Sequence, residues 1–188
     1  MPKDSGIGAS TKRREDVRFL TGRGKYTDDI NLAGQAYVHF VRSDVAHGTI
    51  NSIDTSAAAA ADGVVGVFTG ADFEGVGGLP CGWQVTDRHG QPMQEPPHPV
   101  LAQGKVRHVG DPIAAVVATS PEAARDAAEQ LNIDITELPA VIDMKAAVAD
   151  GSPKVHDELT SNLCYGWGFD AMSDFAIADC GDLAFDYA

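Results

Sequence analysis

The sequence predicts an α+β domain made of two strand–strand–helix–strand units, roughly 36–68 and 105–138, joined by a long irregular loop. Three observations carry this. The stretch Lys105–Ala140 has a turn or cap signal at each change of hydrophobic period. The stretch 36–68 repeats the same order of signals. Between them, residues 73–100 hold ten glycines and prolines, and a loop of that length in a compact domain is functional or packs on a neighbour. This order of elements is unlike a doubly wound dinucleotide fold.

The chain begins with a polar Gly/Ser/Thr-rich segment, read as an arm over residues 1–17. Phe19, Leu20 and Tyr26 surround Gly22-Arg23-Gly24, a tight backbone turn, and Asn31-Leu32-Ala33-Gly34 makes another. Tyr37–Val41 reads as a strand. Ala46-His47-Gly48 re-aims the chain into a second strand, Thr49–Ile53. Asp54 caps a short helix through Ala57–Ala61 that ends near Gly63. Val64–Phe68 is the third strand, and Thr69-Gly70-Ala71-Asp72 turns away from it.

In the second unit, Val106, His108 and Val109 read as a strand leading into Gly110-Asp111-Pro112. Ile113–Ala118, with β-branched Ile113, Val116 and Val117, suits a strand buried on both faces. Ser120 is the expected N-cap and Pro121 the first helical residue, with Glu122 near the positive end of the dipole. Ala123, Ala124, Ala127, Ala128 and Leu131 form one small-residue face, and Asn132 is the expected helix end. Asn132–Leu138 alternates as a strand that Pro139 stops. A short helix over Met144–Ala149 and a turn at Asp150–Pro153 follow.

Charge narrows the partners. The formal net charge is −13, which excludes general nucleic-acid binding and an anionic membrane surface. Residues 1–42 carry eight basic and five acidic groups, whereas residues 158–188 carry six acidic groups and no basic one. No apolar run approaches the roughly 20 residues of a membrane helix, so membrane insertion is not expected. The N-terminal residues have no signal-peptide apolar core, and the cytoplasm is the expected compartment. Cys81, Cys164 and Cys180 have no paired spacing for a disulfide framework or zinc knuckle.

No stretch makes a complete active site. The glycine runs at Gly6, Gly22 and Gly75 each lack the third glycine of a dinucleotide loop, having Thr11, Thr27 and Pro80 there. Cys81, His89 and His98 are spaced too widely for a usual zinc site. Ser43, Asp44 and His47 are read as turn formers, and His108 as hydrogen-bonded within a strand. Asp16, Asp28 and Asp29 sit near turns, where carboxylates accept backbone N–H groups. Arg14, Arg18 and Arg23 are read as a solvated or interfacial arm, with an anion clasp as the sharper alternative. No catalytic, cofactor-binding or metal residue is assigned.

Six stretches in colinear order carry a resemblance. They are Arg18–Ile30 (RFLTGRGKYTDDI), Tyr37–Asp44 with Ala46-His47-Gly48, Val64–Asp72 (VVGVFTGAD), Val109–Ala114 (VGDPIA), Glu137–Val141 (ELPAV), and His156-Asp157 with Asn162. Together they resemble the opening of the molybdenum-binding large subunit of the xanthine dehydrogenase, aldehyde oxidase and aerobic carbon monoxide dehydrogenase family. That resemblance implies an α/β hammerhead domain, placed here at 18–157, with 158–188 a truncated or divergent linker towards a molybdenum-cofactor domain. It implies a parent oxidoreductase acting on aldehydes, purines and other N-heterocycles, or carbon monoxide. Such an enzyme uses molybdenum–molybdopterin, in its cytosine dinucleotide or simpler form, with iron–sulphur and FAD subunits as partners and a small molecule as substrate. The chain itself is expected to bind no cofactor and to serve structure and docking. The alternative is a stand-alone hammerhead-like interaction or assembly protein.

Overall fold

The computed structural model describes residues 13–87 and 90–166. The chain divides into two compact units, residues 1–35 and 36–188.

In the first unit, helix α1 (Asp16–Leu20) ends because Gly22 takes φ +69°. There Arg23 N–H donates to Arg18 O at 2.8 Å and Gly22 N–H to Phe19 O at 3.1 Å, which satisfies the free carbonyls of the last turn. Phe19 stacks on Tyr26 with ring centroids 5.6 Å apart. Gly24 makes room for this, since a Cβ there would lie 2.8 Å from Phe19 Cδ1.

Among the described residues, the second unit holds six strands and three α-helices in the predicted order. These are β1 (Tyr37–Arg42), β2 (Gly48–Asp54), α2 (Ser56–Ala59), β3 (Val64–Thr69), β4 (Lys105–Val106), β5 (Pro112–Ala118), α3 (Pro121–Ala128), β6 (Asn132–Glu137) and α4 (Met144–Ala147). The strands pair in a way that local sequence does not encode. One sheet has the order β1-β5-β3 and the other β4-β2-β6. Within residues 36–138, each strand–strand–helix–strand segment therefore gives its middle strand to the sheet of the other segment. All pairings are antiparallel.

Helix α3 packs on the inner face of the first sheet. Val116, Ala127 and Ala128 are buried there, with Val41, Val64, Val67 and Leu131 against them. Ala124 and Ala127 are nearly sealed from water, because small side chains let the helix approach the sheet closely. A second cluster (Ala102, Val106, Ile113) sits under Ile50, Ile53, Ile133 and Ile135 of the second sheet. Ile113 belongs to β5, so the exchanged strand links both cores.

Three local expectations are corrected. His108 lies in a turn rather than a strand, and β4 stops at Val106. The Asp111 carboxylate accepts the Arg107 N–H at 2.9 Å and Gly110 takes φ +91°, which closes a turn across the alternating residues. Helix α3 ends at Ala128, before Asn132, because Gln130 and Leu131 donate to Ala127 O and Ala128 O in a tight terminal turn. Helix α2 covers Ser56–Ala59 only. Asp54 accepts the Ser56 N–H at 2.9 Å from one position before the Thr55 cap, and the Ser56 hydroxyl and N–H hold its carboxyl below the usual range.

Candidate functional site

The outer faces of the two sheets differ in chemistry. On the second sheet, Asn51 Nδ2 donates to Asp134 Oδ2 at 3.1 Å and Thr136 Oγ1 at 2.8 Å. Its polar groups pair with one another. On the first sheet, cross-strand register aligns Val38 with Val117 and Phe40 with Ala115, and Ala115 with Phe68. Val38 is 52 % exposed, Phe40 43 % and Phe68 41 %. The Phe68 ring lies over Gly66, where a Cβ would stand 3.3 Å from it. The result is an apolar sheet face open to water, with the Arg42 guanidinium 5.8 Å from the Phe40 ring centroid.

The residues singled out from sequence disperse. Ser43 Oγ donates to Val45 O at 2.7 Å and accepts Val45 N–H at 3.0 Å, and Asp44 is exposed. His47 is buried and its Nδ1 lies 2.9 Å from Pro139 O. Cys81 is exposed, its thiol 3.2 Å from Trp83 O and its N–H 3.1 Å from Glu95 Oε1. His98 is tied through its backbone, accepting the Leu79 N–H at 2.7 Å, while His89 lies outside the described residues. Asp29 Oδ2 accepts the Tyr26 N–H at 2.8 Å, and Arg18 sits 4.8 Å over the Phe19 ring.

Asn162, Cys164 and His156, to which sequence reasoning assigned no site role, organise the 141–164 stretch and its surroundings. Asn162 accepts the Val155 N–H at 2.9 Å and donates to Ala147 O and Pro153 O at 3.0 and 2.9 Å. It closes one side of a cavity of about 380 Å³ with Gln94, Ile142 and Met144 on its wall. Cys164 pairs with Gln94 by backbone and thiol, and burial, with the nearby Cys81 and Glu95, pushes its thiol up. Burial, then the Arg107 charge, push His156 down from 6.5. No local pattern flags His47, Arg107 and His156 as neighbours, because about fifty or more residues separate each from the next.

Among the described residues no three metal-ligating side chains converge. No glycine loop feeds a long helix either: Gly78 is closed off by the His98 backbone, and the first turn of α3 is satisfied by Ser120 Oγ on the Ala123 N–H. These residues do not fit a molybdopterin cradle. No helix among them is long and apolar enough to cross a membrane.

The described residues thus form an α+β domain with exchanged middle strands, one self-satisfied outer face and one open apolar face. The chain belongs to the aldehyde oxidase and xanthine dehydrogenase a/b hammerhead domain family, which residues 21–139 match. It is 40 % identical over 157 residues to the nicotine 6-hydroxylase large subunit of Paenarthrobacter nicotinovorans, covering 84 % of this chain and 19 % of that protein. It also matches the crystal structure of quinoline 2-oxidoreductase from Pseudomonas putida 86, with TM-score 0.71 and 40 % identity over 85 % of this chain and 20 % of that one. The carbon monoxide-reduced Cu,Mo-CO dehydrogenase gives TM-score 0.64 and 34 % identity over 85 % and 19 %. The chain thus spans about a fifth of the length of these relatives. A xanthine dehydrogenase molybdenum-binding subunit of Escherichia coli O157:H7 is 33 % identical over 147 residues, 77 % of this chain and 19 % of that protein.

Proposed function

We propose that this chain is the N-terminal hammerhead domain of a molybdenum hydroxylase large subunit, and that it docks on the molybdenum-cofactor domain of the same subunit. The observation that supports this most is the open apolar face of Val38, Phe40, Val117 and Phe68. Such a face is costly in water and is stabilised by a covering protein surface. The hammerhead body is placed at 18–157, with 1–17 an arm and 158–188 the linker towards the next domain. The parent enzyme oxidises an aldehyde, an N-heterocycle or carbon monoxide, with molybdopterin, in its cytosine dinucleotide form, supplying the oxidising centre. Iron–sulphur and FAD subunits carry electrons away, and the complex works in the cytoplasm. This chain's part is to hold shape and exclude water at the domain boundary.

The test places F40D and F68D together in the full large subunit, co-produced with its partner subunits. The expected result is loss of assembled, molybdenum-loaded complex while the 188-residue chain with the same changes keeps its fold by circular dichroism. Full assembly and metal content in the double variant would overturn the docking role.

A further inference from the structure

Arg107 stands apart from the other basic groups of its neighbourhood. Lys105 Nζ is 2.6 Å from Asp157 Oδ2. Lys154 Nζ donates to Asp157 O and Leu159 O, each at 2.9 Å, and Arg42 donates to Gly110 O at 2.9 Å. The Arg107 guanidinium has no ion pair or hydrogen bond among the described residues, and its Nε is buried without a partner. Asp111 lines the larger of two cavities beside it but makes no ion pair with it. That carboxylate accepts the Arg107 backbone N–H and lies 3.9 Å from His108 Nδ1. The charge of Glu158 reaches Arg107 through space without a bond.

Two cavities of about 180 and 280 Å³ share Arg107, His108 and Val155 as wall. His47 lines the smaller one and is only 6 % exposed. Its Nδ1 faces the Pro139 carbonyl, which only accepts, so Nδ1 carries a proton; Nε2 is buried and unpartnered. The smaller cavity has no carboxylate on its wall. In a chain of net charge −13, a cavity walled by an unpaired arginine and no carboxylate is an inversion of the local field. A guanidinium offers a planar fork of donors matched to two oxygens of one group.

We propose that the cavity walled by Arg107, His47 and His108 binds an oxyanion, a carboxylate or phosphate-type group, with Arg107 as its principal donor. The oxyanion has two sources, a free small anion or the side chain of an Asp or Glu presented by the rest of the large subunit. Ile142 on the cavity wall is 95 % exposed, so a protein-borne carboxylate would also cover apolar surface.

The test is calorimetric titration of inorganic phosphate into the 188-residue chain, with sodium chloride of equal ionic strength as control. The expected result is saturable binding of one phosphate, weakened about tenfold or more by R107Q and to a lesser degree by H108Q. Absence of saturable binding, or unchanged affinity in R107Q, would overturn the site. Should R107Q fail to fold, R107K decides, because it keeps the charge and loses the fork: weaker binding upholds the site and wild-type affinity refutes it. This arm is independent of the docking role. A second arm, resting on that role, repeats the titration on the assembled large subunit. Phosphate bound there identifies a free anion as ligand; phosphate excluded there, while the separate chain takes it, identifies a carboxylate of the same subunit.

Discussion

The two sheets share one construction and differ in what they show to water. Each is three-stranded and antiparallel, and each has at its centre the middle strand of the other strand–strand–helix–strand segment. The β4-β2-β6 sheet closes its outer face with Asn51, Asp134 and Thr136 bonded together. The β1-β5-β3 sheet leaves Val38, Phe40 and Phe68 open. Topology alone therefore does not decide what a face shows to water. The alternating residues on each face do, since one set bonds to itself and the other leaves apolar side chains open.

The comparison is sharpened first at the residue common to both cores. Ile113 is buried on β5 beneath the second sheet, so I113A should destabilise the chain by about 2–5 kcal/mol. Urea unfolding of the 188-residue chain measures this, with both sheets lost in one transition. Next, a Cβ at Gly48 would stand 2.5 Å from Ile135 Cγ2 and 3.1 Å from Thr136 O. G48A should cost about 1–3 kcal/mol by overpacking the β2–β6 pair. Removing the cap of α3 with S120A should cost about 1 kcal/mol, since Ser120 Oγ holds the Ala123 N–H at 3.1 Å.

A fourth prediction concerns pH. His156 is held below its ordinary value by burial and then by Arg107. The folded state thus disfavours the proton that the unfolded chain accepts. The associated stability is full above about pH 6.5 and is lost as pH falls towards the lowered folded value. Unfolding midpoints measured from pH 7.5 to 5.0 should fall, and H156Q should fall less over that window. The smallest effect belongs to the open face. F40S or F68S should change the stability of the separate chain by about 0.5 kcal/mol or less. An equal-sized loss at Asn51 and at these two positions would remove the distinction between the faces.

What was legible in the sequence follows from what local patterns report. Ser120-Pro121 after a β-branched run announced α3 and β5, and Gly63 and Gly151 marked turns that take φ +81° and +79°. The order of all six strands was readable from periodicity. The exchange of middle strands was not, because alternation gives a strand two faces without naming its partner. His108 was misread as strand because Val106-Arg107-His108-Val109 shows no helical period. The decisive facts, Asp111 reaching back to the Arg107 N–H and Gly110 at positive φ, are tertiary and backbone features. The Arg107 cavity was invisible for a similar reason, since it gathers residues 47, 107, 108, 142 and 155 from separate segments. The family resemblance was carried by turn glycines, prolines and strand apolars, the residues that fix backbone geometry.

The central claim is that the β1-β5-β3 sheet is covered in the complete subunit. The direct measurement is hydroxyl-radical footprinting of Phe40 and Phe68, in the 188-residue chain and in the assembled large subunit, read by mass spectrometry. The docking account predicts strong oxidation of both rings in the separate chain and marked protection in the large subunit, with Trp83 serving as an internal comparison. Equal oxidation of Phe40 and Phe68 in the two samples would contradict it.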